Sequence, residues 1–272
     1  MNSDTGIMKD YEVTLVQVFT KEVERRRDIV AIEEPLHIFV NGEHYASILS
    51  SPAEKEALVV GNMVSEGLVS SLEDIREMHE GKEGEFRVTL KDGIDVLKKL
   101  EISSSFKRLI LSSCGASDSW PMSKLIDRIK IPKVVDTTRF AANTISEGAR
   151  GLNVLASTYR KTGGVHAAAV YNAEGSLIAF AEDVGRHNAV DKALGLALLR
   201  GQTLSGIFLA LTGRLTGDIV LKAARLGIPL VVSLSAGIDS GIEVARKTGV
   251  TLIGFARSDR MTIYSFPERL TL

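Results

Sequence analysis

The stretch "SGIFLALTGRLTGDIVLKAARLGIPLVVSLS", residues 205–235, decides the fold. Two short aliphatic runs, "IFLAL" and "PLVVS", flank the amphipathic segment "TGDIVLKAARLG". The two runs predict buried strands, and the segment between them predicts a helix closed by Gly227. A strand, a helix and a second strand in this order indicate a right-handed crossover between parallel strands.

The same alternation extends in both directions from this stretch. Downstream, the sequence predicts a helix over residues 239–249 and a strand over residues 250–258. Upstream, it predicts a helix, a pair of strands around Gly175 and a second helix, over residues 137–152, 165–172, 176–183 and 187–201 respectively. Strands that alternate with helices in this way predict a three-layer α/β/α fold with a parallel sheet for the C-terminal half.

The N-terminal half has mixed strand character. Residues 11–19 and 27–49 predict strands, with a hairpin turn at Asn41-Gly42, and "EFRVTL" and "DGIDVLKKL" predict a strand and a short helix. The segment "SPAEKEALVVGNMVSEGLVSS" predicts a helix with Ser51 as its cap and Pro52 at its first position. We therefore divide the chain into an α+β subdomain, residues 11–135, and an α/β cofactor-binding subdomain, residues 136–272.

The composition restricts the function. Of 272 residues, 44% are hydrophobic and 25% are charged, and the formal net charge is -1. This balance lacks the basic excess of nucleic-acid-binding proteins, so we expect no nucleic-acid partner. No apolar run has signal-peptide or membrane-spanning length, which predicts a cytoplasmic protein with no membrane partner. The single cysteine rules out an intrachain disulfide and thiolate-rich zinc sites.

That cysteine, Cys114, lies in "RLILSSCGASDSW", where a predicted strand runs into a loop. A thiolate at such a position is a candidate nucleophile or sulfur carrier, provided that nearby positive charge lowers its pKa. A buried, inert thiol is the alternative reading. The local residues leave both open.

Other candidates lie at the ends of predicted strands, where open α/β sheets bind their ligands. In "KTGGVHAAAVYN", the pair Gly163-Gly164 before His166 suggests backbone amides close to a ligand, or simply a turn beside a hydrogen-bonded histidine. "AEDVGRHNAVDK" joins a predicted strand to a helix and supplies a dense set of polar side chains: Glu182, Asp183, Arg186, His187, Asn188, Asp191 and Lys192.

Two arginines, Arg214 and Arg257, each follow an apolar strand. A guanidinium there could hold phosphate in a fork, although a surface ion pair is the alternative for either one. Metal catalysis fits poorly, because His166 is followed by two alanines rather than by the glutamate of a zinc deaminase. A cysteine hydrolase that pairs Cys114 with His166 or His187 stays open.

Taken in order, several motifs resemble one family. They are "EEPLHIFVNG", "MVSEGLV", "SSCGAS", "TGGVHAAAV", "EDVGRHNAVDK", "TGR", "KAARLGIPLVVS" and "GVTLIGFAR". This set is similar to the formate dehydrogenase accessory sulfurtransferases, the FdhD family, over roughly residues 30–265. The resemblance implies a cytidine-deaminase-like α/β fold. It further implies a sulfur carrier that takes persulfide sulfur from a cysteine desulfurase.

In that family the acceptor is the bis(molybdopterin guanine dinucleotide) cofactor of molybdenum or tungsten, which then enters formate dehydrogenase. By position, Cys114 resembles the family's persulfide cysteine. The stretch Phe255, Ala256, Arg257, Ser258, Asp259, Arg260 resembles its cofactor-binding segment. On this basis we expect guanine nucleotides to bind, with Arg257 the most important strand-end arginine. The resemblance also favours a homodimer.

The chain departs from the family pattern at two places. Many members carry Cys-Gly-x-Cys, whereas this chain has Ser117 at the second cysteine position. A relay between two thiols is therefore absent, and the chemistry would rest on Cys114 alone. The second departure is "AGIDSG" after the "SLS" strand, where members often have Pro-Thr. A cofactor chaperone that moves no sulfur is thus a second hypothesis, beside the hydrolase.

Overall fold

The computed structural model of the chain describes residues 6–94 and 133–272. The strands are β1 (Met8–Val16), β2 (Val23–Ala31), β3 (Glu34–Val40), β4 (Glu43–Ser50), β5 (Ile75–Glu80), β6 (Glu85–Leu90), β7 (Phe140–Ala141), β8 (His166–Asn172), β9 (Leu177–Asp183), β10 (Ile207–Leu211), β11 (Leu230–Ser233), β12 (Thr251–Gly254), β13 (Thr262–Ser265) and β14 (Leu270–Thr271). The helices are α1 (Lys55–Ser65), α2 (Ala142–Leu155), α3 (Ser157–Thr162), α4 (Arg186–Leu199), α5 (Gly217–Arg225) and α6 (Asp239–Thr248), with short 3-10 turns at Leu72–Asp74 and Pro267–Arg269.

The C-terminal half is built on a six-stranded sheet of order β13-β12-β11-β10-β8-β9. The central strands β10, β11 and β12 are parallel, as the strand–helix alternation predicts. The prediction of a parallel sheet holds for these three strands, whereas β8, β9 and β13 each run antiparallel to a neighbour. The turn between β8 and β9 is the physical reason there: a connection this short can join antiparallel strands only.

Helices cover both faces of this sheet. Alternate strand residues such as Leu209 and Val231 pack on one side with α4, α5 and α6. Their neighbours, including Phe208 and Val232, pack on the other side with α2. This half is therefore three layers deep, with side chains alternating between two apolar cores as strand geometry requires. The more detailed likeness to cytidine deaminases stays a prediction.

The N-terminal half contributes a second sheet of order β4-β3-β6-β5 and a separate β1–β2 ribbon. The predicted hairpin turn between β3 and β4 is confirmed: Asn41 has φ 51° and Gly42 has φ 87°. Apolar residues of β3 and β6 pack against one side of α1. The other side of α1 packs against α4, so this helix is buried nearly all round.

Two glycines bring α1 and α4 into backbone contact. A Cβ on Gly61 would lie 1.8 Å from the carbonyl oxygen of Asp191, and a Cβ on Gly195 would lie 1.9 Å from that of Ala57. Neither position has room for a side chain. The two halves of the chain therefore meet at a close helix–helix contact. The predicted boundary at residues 135/136 stays a prediction.

The predicted start of α1 is wrong. Ser51 and Pro52 do not begin the helix, which starts at Lys55 after a left-handed Glu54 with φ 57°. The polar groups of Ser51 are instead used in long-range contacts: its hydroxyl accepts from the amide of Val184, and its amide donates to Asp183. Ser51 is therefore part of a long-range hydrogen-bond network and does not cap the helix, as the local sequence predicts it would.

We expect Gly195→Ala to destabilise the fold, although alanine is normally the better helix former. The added methyl would displace the backbone of α1, so the melting temperature should fall by several degrees. Gly151→Ala in α2 is the matched control. Its methyl would meet only the Tyr171 hydroxyl, at 3.1 Å, and the melting temperature should stay within about 2 °C of wild type. Equal thermal shifts in the two variants would contradict the close helix contact.

Within residues 6–94 and 133–272, no helix is long and apolar enough to cross a membrane. Cys114, Ser117 and most of the predicted short helix over residues 92–100 lie outside the described residues.

Candidate functional site

One edge of the six-stranded sheet collects most of the predicted site residues. Strand β8 is antiparallel to both β9 and β10, so β9 and β10 point the same way, as do β11 and β12. The carboxyl ends of these four strands and the amino end of β8 therefore lie at a single edge. This is where ligands bind in open α/β sheets. We call it the edge site.

His166 begins β8 at the edge site and is half-buried. Its Nδ1 lies 3.4 Å from the hydroxyl of Thr212, the residue after β10. Burial lowers the pKa of His166, and the positive charges of Arg186, His187 and Arg214 lower it further, against a smaller opposing effect of Asp183. His166 is consequently a neutral imidazole at pH 7.

His187 lies in the first turn of α4 and contacts a carboxylate in the first turn of α5. Its Nε2 is 2.5 Å from Oδ2 of Asp218. Burial raises the pKa of Asp218, but hydrogen bonding and the charge of His187 outweigh it, with help from Thr216 and the amide of Ile219. The pKa of Asp218 is therefore held below its usual range. The sequence interpretation missed this residue, although an acidic group in a first helical turn is a recognisable signal.

Arg186 precedes His187 and lies along the backbone of Gly213. A Cβ on Gly213 would be 3.0 Å from the Cβ and 3.3 Å from the Cδ of Arg186, so a side chain there would crowd the arginine stem. The Nε of Arg186 is buried and has no hydrogen-bond partner among the described residues. Arg214, two residues after Thr212, is exposed at the same edge.

The remaining polar residues of "AEDVGRHNAVDK" face inward. Glu182 accepts the amides of Thr158 and Tyr159 and so caps α3. Asp183 and Lys192 form a fully buried ion pair at 2.6 Å. The other buried members of this set, with their partners, are Asn188, which donates to Asp183 and to the carbonyl of Leu49, and Asp191, which pairs with Lys222. Of the seven side chains in this motif, Arg186 and His187 alone face the edge site.

Gly163 and Gly164 use their amides within the protein. Gly163 ends α3 with φ 64° and donates to the carbonyl of Tyr159 at 2.7 Å. Gly164 donates to the hydroxyl of Thr162, and a Cβ on it would lie 3.3 Å from that of Ala31. These contacts correct the interpretation that the pair presents amides to a ligand, and match the alternative of a glycine turn.

The predicted cofactor segment follows β12. Phe255 has φ 50°, a left-handed backbone conformation that is rare for a bulky residue. Its side chain is 44% exposed. Ala256 is fully buried, whereas Ser258, Asp259 and Arg260 are exposed. The guanidinium of Arg257 donates to the carbonyls of Leu234 at 2.8 Å and Ala256 at 3.0 Å. The segment thus lies at the edge site, with Phe255 and residues 257–260 open to solvent.

These groups suit an anion. Two arginines, Arg186 and Arg214, meet at one edge beside the neutral His166 and beside His187, whose Nε2 contacts Asp218. The sequence-predicted residues that the structure brings together are therefore His166, Arg186, His187, Arg214 and the 255–260 segment. Whether Cys114 lies near His166 or His187 is outside the described residues, so the hydrolase alternative stays a prediction.

Comparison with known proteins places this arrangement in context. The FdhD/NarQ family model matches residues 31–271. A sulfur carrier protein FdhD from Shouchella clausii is 34% identical over 260 residues, which cover 92% of this chain and 93% of that protein. The protein of the same name from Thermoplasma acidophilum is 36% identical over 252 residues, or 89% of this chain and 87% of that protein.

The fold has a solved counterpart. The crystal structure of a formate dehydrogenase accessory protein from Desulfotalea psychrophila superposes with a TM-score of 0.76 at 25% sequence identity. The match covers 97% of this chain and all of that one. The mixed α/β architecture of several sheets and helices is therefore shared with that protein.

Proposed function

This chain belongs to the FdhD/NarQ family, and on that premise we propose that Cys114 carries sulfur from a cysteine desulfurase to a formate dehydrogenase cofactor. One observation carries the proposal. The relatives that the chain matches over nine-tenths of its length are named sulfur carriers, and the chain has one cysteine. A thiolate is the group that accepts sulfane sulfur, so the carrier atom is the sulfur of Cys114.

Loading is a thiol–disulfide-type exchange. The thiolate of Cys114 attacks the terminal sulfur of the desulfurase persulfide, whose sulfur–sulfur bond breaks. The desulfurase cysteine leaves as a thiolate, and a new sulfur–sulfur bond forms on Cys114. One persulfide replaces another without net oxidation, so a single cysteine is sufficient for this step.

The acceptor that we propose is the molybdenum or tungsten bis(molybdopterin guanine dinucleotide) cofactor, bound as substrate. Its pyrophosphate groups are anionic, and the edge site offers Arg186, His187 and Arg214 to oxyanions. The exposed ring of Phe255 is suited to stack on a base. Partners follow from this role: a cysteine desulfurase as donor, a formate dehydrogenase as client, and a second copy of the chain in a homodimer.

A transfer experiment tests the proposal. Desulfurase, radiolabelled cysteine and the chain are mixed, the charged chain is reisolated, and it is given to a formate dehydrogenase that lacks sulfur on its cofactor. We expect label first on the chain and then on the cofactor, together with a gain of formate oxidation. A chain that raises activity without ever carrying label would favour the chaperone, and one that hydrolyses ester or amide substrates would favour the hydrolase.

Ser117→Cys should not be needed for sulfur transfer, because one thiol completes the exchange. We expect a transfer rate equal to or below that of wild type, since a second thiol nearby could trap Cys114 in a disulfide. The rate of label transfer measures this, with Ser117→Ala as the control. A many-fold faster Ser117→Cys variant would contradict a single-cysteine mechanism.

GDP should bind as a fragment of the cofactor, and more tightly than ADP by roughly tenfold, the equivalent of one or two hydrogen bonds to the guanine. Rising salt should weaken both complexes, because ions screen the phosphate contacts. Isothermal titration calorimetry at two salt concentrations measures both effects. Equal affinities for GDP and ADP would contradict a guanine-recognising site.

A further inference from the structure

The three arginines at the edge site differ in what they already contact. Arg257 donates from one guanidinium nitrogen to two backbone carbonyls, those of Leu234 and Ala256. The carbonyl of Arg257 in turn accepts from the Ser146 hydroxyl at 2.9 Å. Arg257 therefore ties the end of β12 to neighbouring loops. These contacts assign it a structural task before any ligand arrives.

Arg186 is the opposite case. Its Nε is buried, yet none of the described residues accepts a hydrogen bond from it. Leaving a buried donor unsatisfied is unfavourable, and such groups are rare in native proteins, so each one needs an explanation. Because Arg186 lies at the edge site, a ligand bound there could supply the acceptor that its Nε lacks.

The carboxylates of the neighbouring elements α5 and β9 already have other partners. Asp218, the nearest carboxylate of α5, contacts His187. On β9, Asp183 forms an ion pair with Lys192 and accepts hydrogen bonds from Asn188 and from the amide of Gly185. The remaining charged or titratable groups facing this region, His166 and Arg214, are neutral or cationic. An additional negative charge is thus favoured here.

Space beside Arg186 is also provided by the backbone. Gly213 allows the arginine stem to lie against the chain after β10, where a Cβ would come within 3.0–3.7 Å of three of its carbons. Because the stem is packed, little rotamer freedom is left to lose when the guanidinium binds a ligand. Arg214, which is exposed, lacks this preorganisation.

We propose that Arg186 is the principal phosphate anchor of the edge site, holding a phosphate oxyanion of the nucleotide by a charge-assisted fork, and that Arg257 is a structural brace. The inference deepens the proposed function, because it takes the nucleotide ligand from there. The sequence predicts that Arg257 is the most important strand-end arginine for nucleotide binding, whereas this inference gives that role to Arg186. It also predicts that Gly213 matters through the position of Arg186.

Calorimetric titration with GDP and with inorganic pyrophosphate tests the anchor in the full chain. We expect Arg186→Gln to weaken the binding of GDP about ten- to a hundred-fold, the range for losing a charge-assisted hydrogen bond. The binding of pyrophosphate should weaken by a similar factor. Arg186→Lys, which keeps the charge but not the fork, should recover part of the affinity. Arg257→Gln should change GDP affinity less than about threefold and lower the melting temperature.

The melting temperature separates anchoring from a structural role. Arg186→Gln should leave it within about 2 °C of wild type, because the Nε of Arg186 donates to none of the described residues and no hydrogen bond among them is lost. The inference is overturned if Arg257→Gln loses more GDP affinity than Arg186→Gln, or if the wild type binds neither probe. Sulfur uptake by the wild-type chain is measured separately, so its failure would reject the proposed function and leave these affinities standing.

Discussion

Lys222→Met is expected to lower the free energy of unfolding by about 3–5 kcal/mol, the effect of breaking a buried ion pair from one side. The Nζ of Lys222 lies 2.9 Å from Asp191 and 2.8 Å from Glu66, and these side chains are 4%, 1% and 12% exposed. Burial lowers the pKa of Lys222, but the two carboxylates outweigh it and raise the pKa above its usual value. The lysine is therefore charged at neutral pH.

The size of this effect follows from position as well as charge. Lys222 is on α5, Asp191 is on α4, and Glu66 directly follows α1, so one ammonium joins three helices. Asn62 and Ser65 complete the network by donating to Asp191 at 2.9 and 2.7 Å. Without the lysine, two carboxylates would share a buried site with too little compensating charge.

Urea denaturation followed by circular dichroism measures the loss. Arg76→Met is the matched control, because Arg76 pairs with Asp92 at the same distance of 2.9 Å but with side chains 50% and 95% exposed. Its effect should stay below about 1 kcal/mol. If both variants lost the same stability, the buried network would not be holding the helices together.

Cys114→Ser is expected to abolish the activation of a formate dehydrogenase completely. A serine hydroxyl accepts no sulfane sulfur, and the chain has no second cysteine to replace it. The measurement is formate oxidation by the client enzyme, produced in cells whose own sulfur carrier has been removed and which express the variant.

Ser117→Ala is the control for this experiment, since it changes the same motif while keeping the thiol. We expect it to support activation as wild type does. Circular dichroism and the melting temperature of Cys114→Ser should match wild type, which excludes loss of fold as the cause. Activation by Cys114→Ser at the wild-type level would remove Cys114 from the mechanism.

Local periodicity was sufficient to predict most elements. Buried aliphatic runs identified β10, β11 and β12, and amphipathic spacing identified α4, α5 and α6, because these patterns depend on which faces are buried. The direction of each strand was harder to predict from the sequence. Strand β8 is as apolar and buried as the parallel strands, so composition does not give its direction, whereas the short turn to β9 does.

The edge site was predictable in outline, because residues that follow strands of one direction meet at one edge. Arg186, His187 and Arg214 meet there for that reason, whereas His166 reaches the same edge at the amino end of the antiparallel β8. Their individual partners were not predictable. The contacts of Ser51 with Asp183 and of Asp191 with Lys222 join residues far apart in the chain, and nothing in the local pattern around either residue identifies its partner.

The central claim is that Cys114 carries sulfur, and intact-mass measurement tests it most directly. Wild-type chain is incubated with a cysteine desulfurase and cysteine, and its mass is recorded before and after treatment with a thiol reductant. We predict a gain of one sulfur atom that maps to Cys114, is reversed by the reductant and is absent from Cys114→Ser. A wild-type chain that keeps its original mass beside an active desulfurase would contradict the account.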